Sequence, residues 1–174
     1  MGRRGFTLVE LLVVLAVGSI LLAIAVPSYA FLVNTSRLAA ATNDLVAALQ
    51  LARSEAVKRG VQVTVCKTGN VQSTTPTCDA TANWHQGWLV FADGGTSGVF
   101  EPGDTLLRVQ EAAHSTVRIT ANSHISGFIS YRPTGRVHGL NGPANGTFGI
   151  CVAGSRRDII INNTGRPRLF SGSC

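Results

Sequence analysis

The sequence predicts an α+β protein: one long N-terminal helix, membrane-spanning in its first half, packed on antiparallel β-sheets of about seven or eight strands. Three observations carry this. Residues 5–27 form an apolar span that carries a single charged residue, Glu10. Apolar residues then recur at helical spacing from Leu38 to Ala56 and stop at Lys58-Arg59-Gly60. Beyond Gly60 the pattern changes to period two, in short segments punctuated by Gly and Pro.

The apolar span follows a short basic leader, Met1-Gly-Arg-Arg-Gly5, and is long enough to cross a bilayer as a helix. A carboxylate inside such a helix costs roughly 2.5–3.5 kcal/mol on insertion scales, so Glu10 needs a reason. A secretory signal is cut behind its apolar region. Here the processing point, Gly5-Phe6, stands in front of it, which keeps the apolar segment in the mature chain.

After Pro27 the helical repeat is Leu38, Leu45, Leu49, Ala52 and Ala56, with Arg37, Asp44, Arg53, Glu55 and Lys58 on other faces. Lys58 and Arg59 place cations in the last turn, and Gly60 suits the stop. A continuous helix from Phe6 to Arg59 would be about 80 Å long. Pro27 removes a backbone hydrogen bond and is expected to kink or loosen it. The expected divisions are a leader at 1–5, a transmembrane half-helix at 6–28, an amphipathic half at 29–59 and a β-rich head at 60–174.

In the head, Val61, Val63 and Val65 alternate with Gln62, Thr64 and Cys66, and a polar loop follows at 68–83. Further strands are expected at 87–92, 105–110, 116–121, 127–132, 147–152, 157–162 and 167–170, with breaks at Gly94-Gly95, Pro102-Gly103, Pro133 and between Gly139 and Gly146. Cys66, Cys78, Cys151 and Cys174 form no C-x-x-C and have no His at zinc-like offsets. In an oxidising compartment disulfides are the default. Of the three possible connectivities, proximity favours Cys66–Cys78 and Cys151–Cys174.

The charge is unevenly placed. The chain carries a formal net charge of +6, yet residues 1–111 hold equal numbers of acids and bases. The last third holds Arg118, Arg132, Arg136, Arg156, Arg157, Arg166 and Arg168 against Asp158 alone. Arginine suits planar, bidentate phosphate contact, and a basic stripe is the footprint of a polyanion partner or of a solvated face.

The N-terminus resembles the prepilin signature of type IV pilins and type II secretion pseudopilins, with Gly5 before the cut, Phe6 as new N-terminus and Glu10 as fifth mature residue. The resemblance implies a prepilin peptidase, methylation of the Phe6 amine, and pairing of Glu10 with the N-terminal amine of a neighbouring subunit, which would remove much of the cost of its charge. It also implies an inner-membrane, single-pass protein with a periplasmic head that later enters an extracellular pilus with other pilins. Trp84-His-Gln-Gly87-Trp88-Leu-Val-Phe91-Ala-Asp93, followed by Gly103-Asp104-Thr-Leu-Leu107-Arg108, looks like the head of the GspH/FimT family of minor pilins and pseudopilins.

Residues 165–168, Gly165-Arg166-Pro167-Arg168, are similar to the Gly-Arg-x-Arg DNA-binding motif of FimT proteins, which take part in DNA uptake by competent bacteria. In an extended segment Arg166 and Arg168 project the same way, about 7 Å apart, close to the spacing of successive phosphates along one strand. Pro167 favours an edge or a loop. Arg156 and Arg157 are expected to share a face with the motif. Arg136 is expected to act through the general field, within Thr134-Gly135-Arg136, a second turn-to-strand device of the same kind. The resemblance therefore implies a sequence-tolerant DNA-backbone binder. The alternative is a FimU- or GspH-like subunit that acts in filament-tip assembly without touching nucleic acid.

Other chemistry is poorly represented. Trp84 and Trp88 read as core or loop anchors rather than base-stacking groups. The acids of the 93–104 loop match no EF-hand spacing. There is no phosphate loop, no H-E-x-x-H and no nucleophile elbow. No enzyme, cofactor or metal is expected.

Overall fold

The computed structural model describes residues 7–140, 142–143 and 145–174. Gly5 and Phe6, the expected processing point, lie outside the described residues. The chain divides into two compact units, one ending at Ser36 and one spanning Arg37–Cys174. Helix α1, Leu8–Arg59, supplies the described part of the first and the opening element of the second.

In the first unit the helix begins on Thr7, whose hydroxyl accepts the Glu10 backbone N–H at 3.2 Å and whose carbonyl accepts that of Leu11. The side-chain bond caps one orphan donor, the carbonyl bond is the first regular bond of the helix, and Glu10 is left in the first turn, where a negative charge meets the positive end of the helix dipole. The large apolar side chains from Leu8 to Leu32 are exposed, and an 18-residue window is apolar enough to cross a membrane by length and composition. The hydroxyls of Ser19 and Thr35 donate to the carbonyls of Ala16 and Phe31 and are satisfied within the helix. The helix continues through Pro27.

In the second unit α1 buries Leu38, Ala41, Leu45, Ala48, Leu49, Ala52 and Ala56. The stripe follows the helical period, and its many alanines let a sheet approach closely. Ten strands follow among the described residues. The first sheet holds β1 (Gln62–Lys67), β2 (Trp88–Asp93), β3 (Thr105–Gln110), β5 (Phe128–Tyr131), β6 (Val137–Gly139) and β7 (Gly142–Pro143), in the order β3-β2-β1-β5-β6-β7. The second holds β4 (Arg118–Ala121), β8 (Gly146–Val152), β9 (Ser155–Ile161) and β10 (Pro167–Ser173), in the order β10-β9-β8-β4. Every neighbouring pair is antiparallel. Eight strands sit where the alternation places them. The two more, β6 and β7, are three and two residues long.

The helix stripe, Val63 and Val65 of β1, and the inward residues of both sheets form the main core. Cys66, Leu89 and Phe91 form a second, smaller core with Phe100, Val109 and Phe128 on the other face of the first sheet. The central strand β1 is therefore buried on both faces, and Thr64 needs partners. Its hydroxyl meets the Asp93 carboxylate and the Ser130 hydroxyl, each at 2.6 Å. Trp84 packs edge-to-face on Phe148 at 4.8 Å, and its indole N–H donates to the Ser126 carbonyl at 3.2 Å. Both tryptophans are buried core residues.

The acids of the 93–104 loop also accept hydrogen bonds from the loop's own backbone. Asp93 accepts the Gly98 N–H, Asp104 those of Gly94 and Glu101, and Glu101 that of Thr96. Disulfides join Cys66 to Cys78, closing the 68–83 loop, and Cys151 to Cys174, fastening the end of β10 to β8; the Cα separations are 5.6 and 6.0 Å.

Candidate nucleic-acid interface

Two Thr-Gly-Arg turns build the site. Between β5 and β6, the Arg132 N–H donates to the Arg136 carbonyl at 2.9 Å and the Gly135 N–H to the Arg132 carbonyl at 2.8 Å. This closes Thr134-Gly135-Arg136 with Gly135 at φ +73°. Between β9 and β10, the Gly165 N–H donates to the Asn162 carbonyl at 2.8 Å, and Gly165 takes φ +76°. Glycine reaches this left-handed region without the steric cost that a Cβ brings.

The two turns are joined. The Val137 N–H donates to the Asn163 carbonyl at 3.2 Å. A Cβ on Gly165 would overlap the Gly135 carbonyl oxygen and come within 2.9 Å of the Tyr131 ring. The Gly135 carbonyl also accepts the Arg53 Nε–H of α1 at 3.3 Å.

Arg53, Arg136, Arg166 and Arg168 consequently line one cleft of about 460 Å³, which Thr134, Asn162 and Thr164 complete with hydroxyl and amide groups. Arg136, Arg166 and Arg168 are exposed and Arg53 is half-buried. A groove along α1 opens beside it and adds Lys58. A further hollow adds Arg132. The ion pairs among the described residues involve Lys58, Arg59 and Arg156, none of the four cleft arginines. The positive field is felt by the neighbours. Burial, and then Arg132, holds the His138 imidazole below its ordinary value. Burial raises the Tyr131 phenol above the usual range, opposed by Arg53.

The structure thus brings Gly165, Arg166 and Arg168 together with Arg136, which belongs to the cleft itself and not only to the surrounding field. Arg156 and Arg157 do not line this cleft, although Arg156 shares the solvent face of the sheet with Arg168. They pair with Gly172 and Ser171, whereas Arg168 pairs with Ile160. Ile159 and Ile161 are in the core, so Arg157 shares their side of the sheet and Arg156 the solvent side. Arg156 is held by Asp158 at 2.7 Å. Arg53, Arg132 and Lys58 were not marked as site residues by their sequence context. A lone cation on the polar stripe of a helix carries no signal of the turn it will meet. Among the described residues no group of three or more His, Cys, Asp and Glu is placed to hold a metal ion. What the cleft offers is planar hydrogen-bond donation to an anion.

Residues 41–165 match the family described as Type II transport protein GspH, and residues 1–26 match the prokaryotic N-terminal methylation motif. The first match ends at Gly165, just before the two arginines. The chain is 27% identical to the pilin-like protein PilA1 of Thermus thermophilus, over 97% of this chain and 99% of that one. Its fold is similar to the type IV minor pilin FimU of Pseudomonas aeruginosa (TM-score 0.58, 21% identity, 80% of this chain and 94% of that one). It is also similar to the minor pseudopilin EpsH of the Vibrio cholerae type 2 secretion system (TM-score 0.53, 11% identity, 78% and 97%). With the methylation motif running into the first half of the long helix and the GspH match over most of the remaining chain, the protein belongs to the GspH family, as a minor type IV pilin or pseudopilin of GspH/FimT type, a structural filament subunit.

Proposed function

We propose that this minor pilin binds DNA through its phosphate backbone in the cleft of Arg53, Arg136, Arg166 and Arg168, and supports DNA uptake in natural transformation. The observation that carries the reading is the gathering of four guanidinium groups on one cleft with no carboxylate paired to any of them among the described residues. Like charges brought together this way repel one another, and an anion spanning them relieves the repulsion. Turns and a strand edge supply the contacts, with no helix to enter the major groove, so recognition is sequence-tolerant.

In the same reading a prepilin peptidase cuts after Gly5, the Phe6 amine is methylated, and residues 6–28 lie in the bacterial inner membrane. The 60–174 head waits in the periplasm until assembly. Glu10 then pairs with the amine of a neighbouring pilin.

The test uses the mature full-length chain in detergent micelles and duplex DNA at a series of salt concentrations. Affinity should fall steeply with salt, and Arg166→Gln with Arg168→Gln should lower the log–log slope by roughly two and reduce transformation. Absence of salt-sensitive binding overturns the reading. One observation favours tip assembly without DNA contact: Gly165 is packed on Gly135 and has a structural role of its own. Variants that keep DNA affinity but lose pili would establish that alternative.

A further inference from the structure

We infer that the solvent face of β10 beside the cleft is a stacking platform for an unpaired base, so that the chain takes single-stranded DNA in preference to duplex; this rests on the phosphate-binding reading above. β10 is an edge strand, and its register places Arg168 opposite Ile160 and Phe170 opposite Asp158. Paired residues share a face, and Ile159 and Ile161 are wholly buried, so Arg168, Ile160, Phe170 and Asp158 all face solvent. Phe170 is 65% exposed and Ile160 42%.

A phenyl ring lying in water costs apolar hydration, and this ring stands exposed on the strand that carries Arg168. It lies two residues from Arg168, about 7 Å along the strand. In an unpaired strand the base hangs free of its own phosphate. With that phosphate on Arg168 its flat face can lie on Phe170, and Ile160, opposite Arg168, is the ring's diagonal neighbour. In duplex DNA the bases are stacked inside and offer the ring no face. Asp158 would repel the polyanion, but its carboxylate is engaged by Arg156 at 2.7 Å, so this row of the sheet is neutral. Basic groups on a strand edge beside an exposed aromatic are the general composition of single-strand binding surfaces. An apolar contact with another pilin would use the ring but not the cleft arginines next to it.

The experiment compares a fluorescein-labelled oligothymidylate with a duplex of equal length, on the full mature chain in micelles. The single strand should bind more tightly. Phe170→Ala should weaken it roughly ten-fold, leave duplex affinity within about twofold and leave the salt slope unchanged. Phe170→Trp should keep single-strand affinity and show quenched emission on binding. Equal loss on both DNA forms, or no loss with impaired pilus incorporation, overturns the platform while the phosphate cleft stands. Failure of both DNA forms to bind removes the cleft and the platform together.

Discussion

The carbonyl oxygen of Gly135 lies against the α-carbon of Gly165, tying the turn between β5 and β6 to the turn that opens β10. That contact leaves no room for a Cβ. Gly165→Ala should cost at least about 2 kcal/mol, combining the left-handed backbone with the overlap. Gly60→Ala, at φ +68° with nothing within 4 Å of its Cβ, should cost only about 1 kcal/mol. Urea midpoints of the two variants check the difference, and equal losses would deny the contact.

Because the two turns are joined, Arg136 should matter as a direct contact. Arg136→Gln should reduce the DNA salt slope by about 0.9, as each motif arginine does. Arg156→Gln should reduce it less, since Arg156 is committed to Asp158. Titrations across salt with both variants measure this ranking.

The Tyr131 hydroxyl is buried and without a hydrogen-bond partner among the described residues, while its ring packs under Gly165. Leaving a hydroxyl unpaired in the core costs free energy. Tyr131→Phe should keep or raise stability, by up to about 1 kcal/mol. A marked loss in a denaturant melt would mean that the hydroxyl is bonded after all.

The Cys151–Cys174 bridge closes a loop that contains the basic motif, and the Cys174 N–H also donates to the Gly154 carbonyl at 3.0 Å. Replacing both cysteines by Ser should cost about 3 kcal/mol on the loop-entropy account. It should also fray the end of β10 on the edge of its sheet. Hydrogen exchange of the Leu169–Ser173 amides, faster in the variant, is the readout.

His85 and His138 are both held below the ordinary histidine value, each first by burial and then by a cation, Arg118 or Arg132. An unfolded chain binds these protons near pH ~6.5, whereas the folded chain resists them. Their contribution to stability is therefore complete above that pH and is lost as pH falls below it. Glu55 and Asp79, whose carboxyls are lowered by hydrogen bonds from Arg59 and Thr81, add their loss only in more acidic solution. Melting temperature should drop between pH ~6.5 and the carboxylate range, and His138→Gln should flatten that drop.

The sequence by itself determined the elements whose signals are local. The Leu38–Ala56 stripe was readable because helical spacing repeats along the chain, and eight strands were readable from alternation between glycine and proline breaks. Glycines 135 and 165 announced turns. β6 and β7 stayed hidden because two or three residues cannot display a period. The burial of Thr64 and Cys66 stayed hidden because β1 became a central strand covered on both faces, which depends on the sheet order. Only the tertiary structure decided that the two Thr-Gly-Arg turns meet, that Arg53 reaches them from the helix, and that Arg156 does not. Those facts follow from which strands pair and in which register. Such long-range choices are fixed by burying the shared core, and no short stretch of residues encodes them.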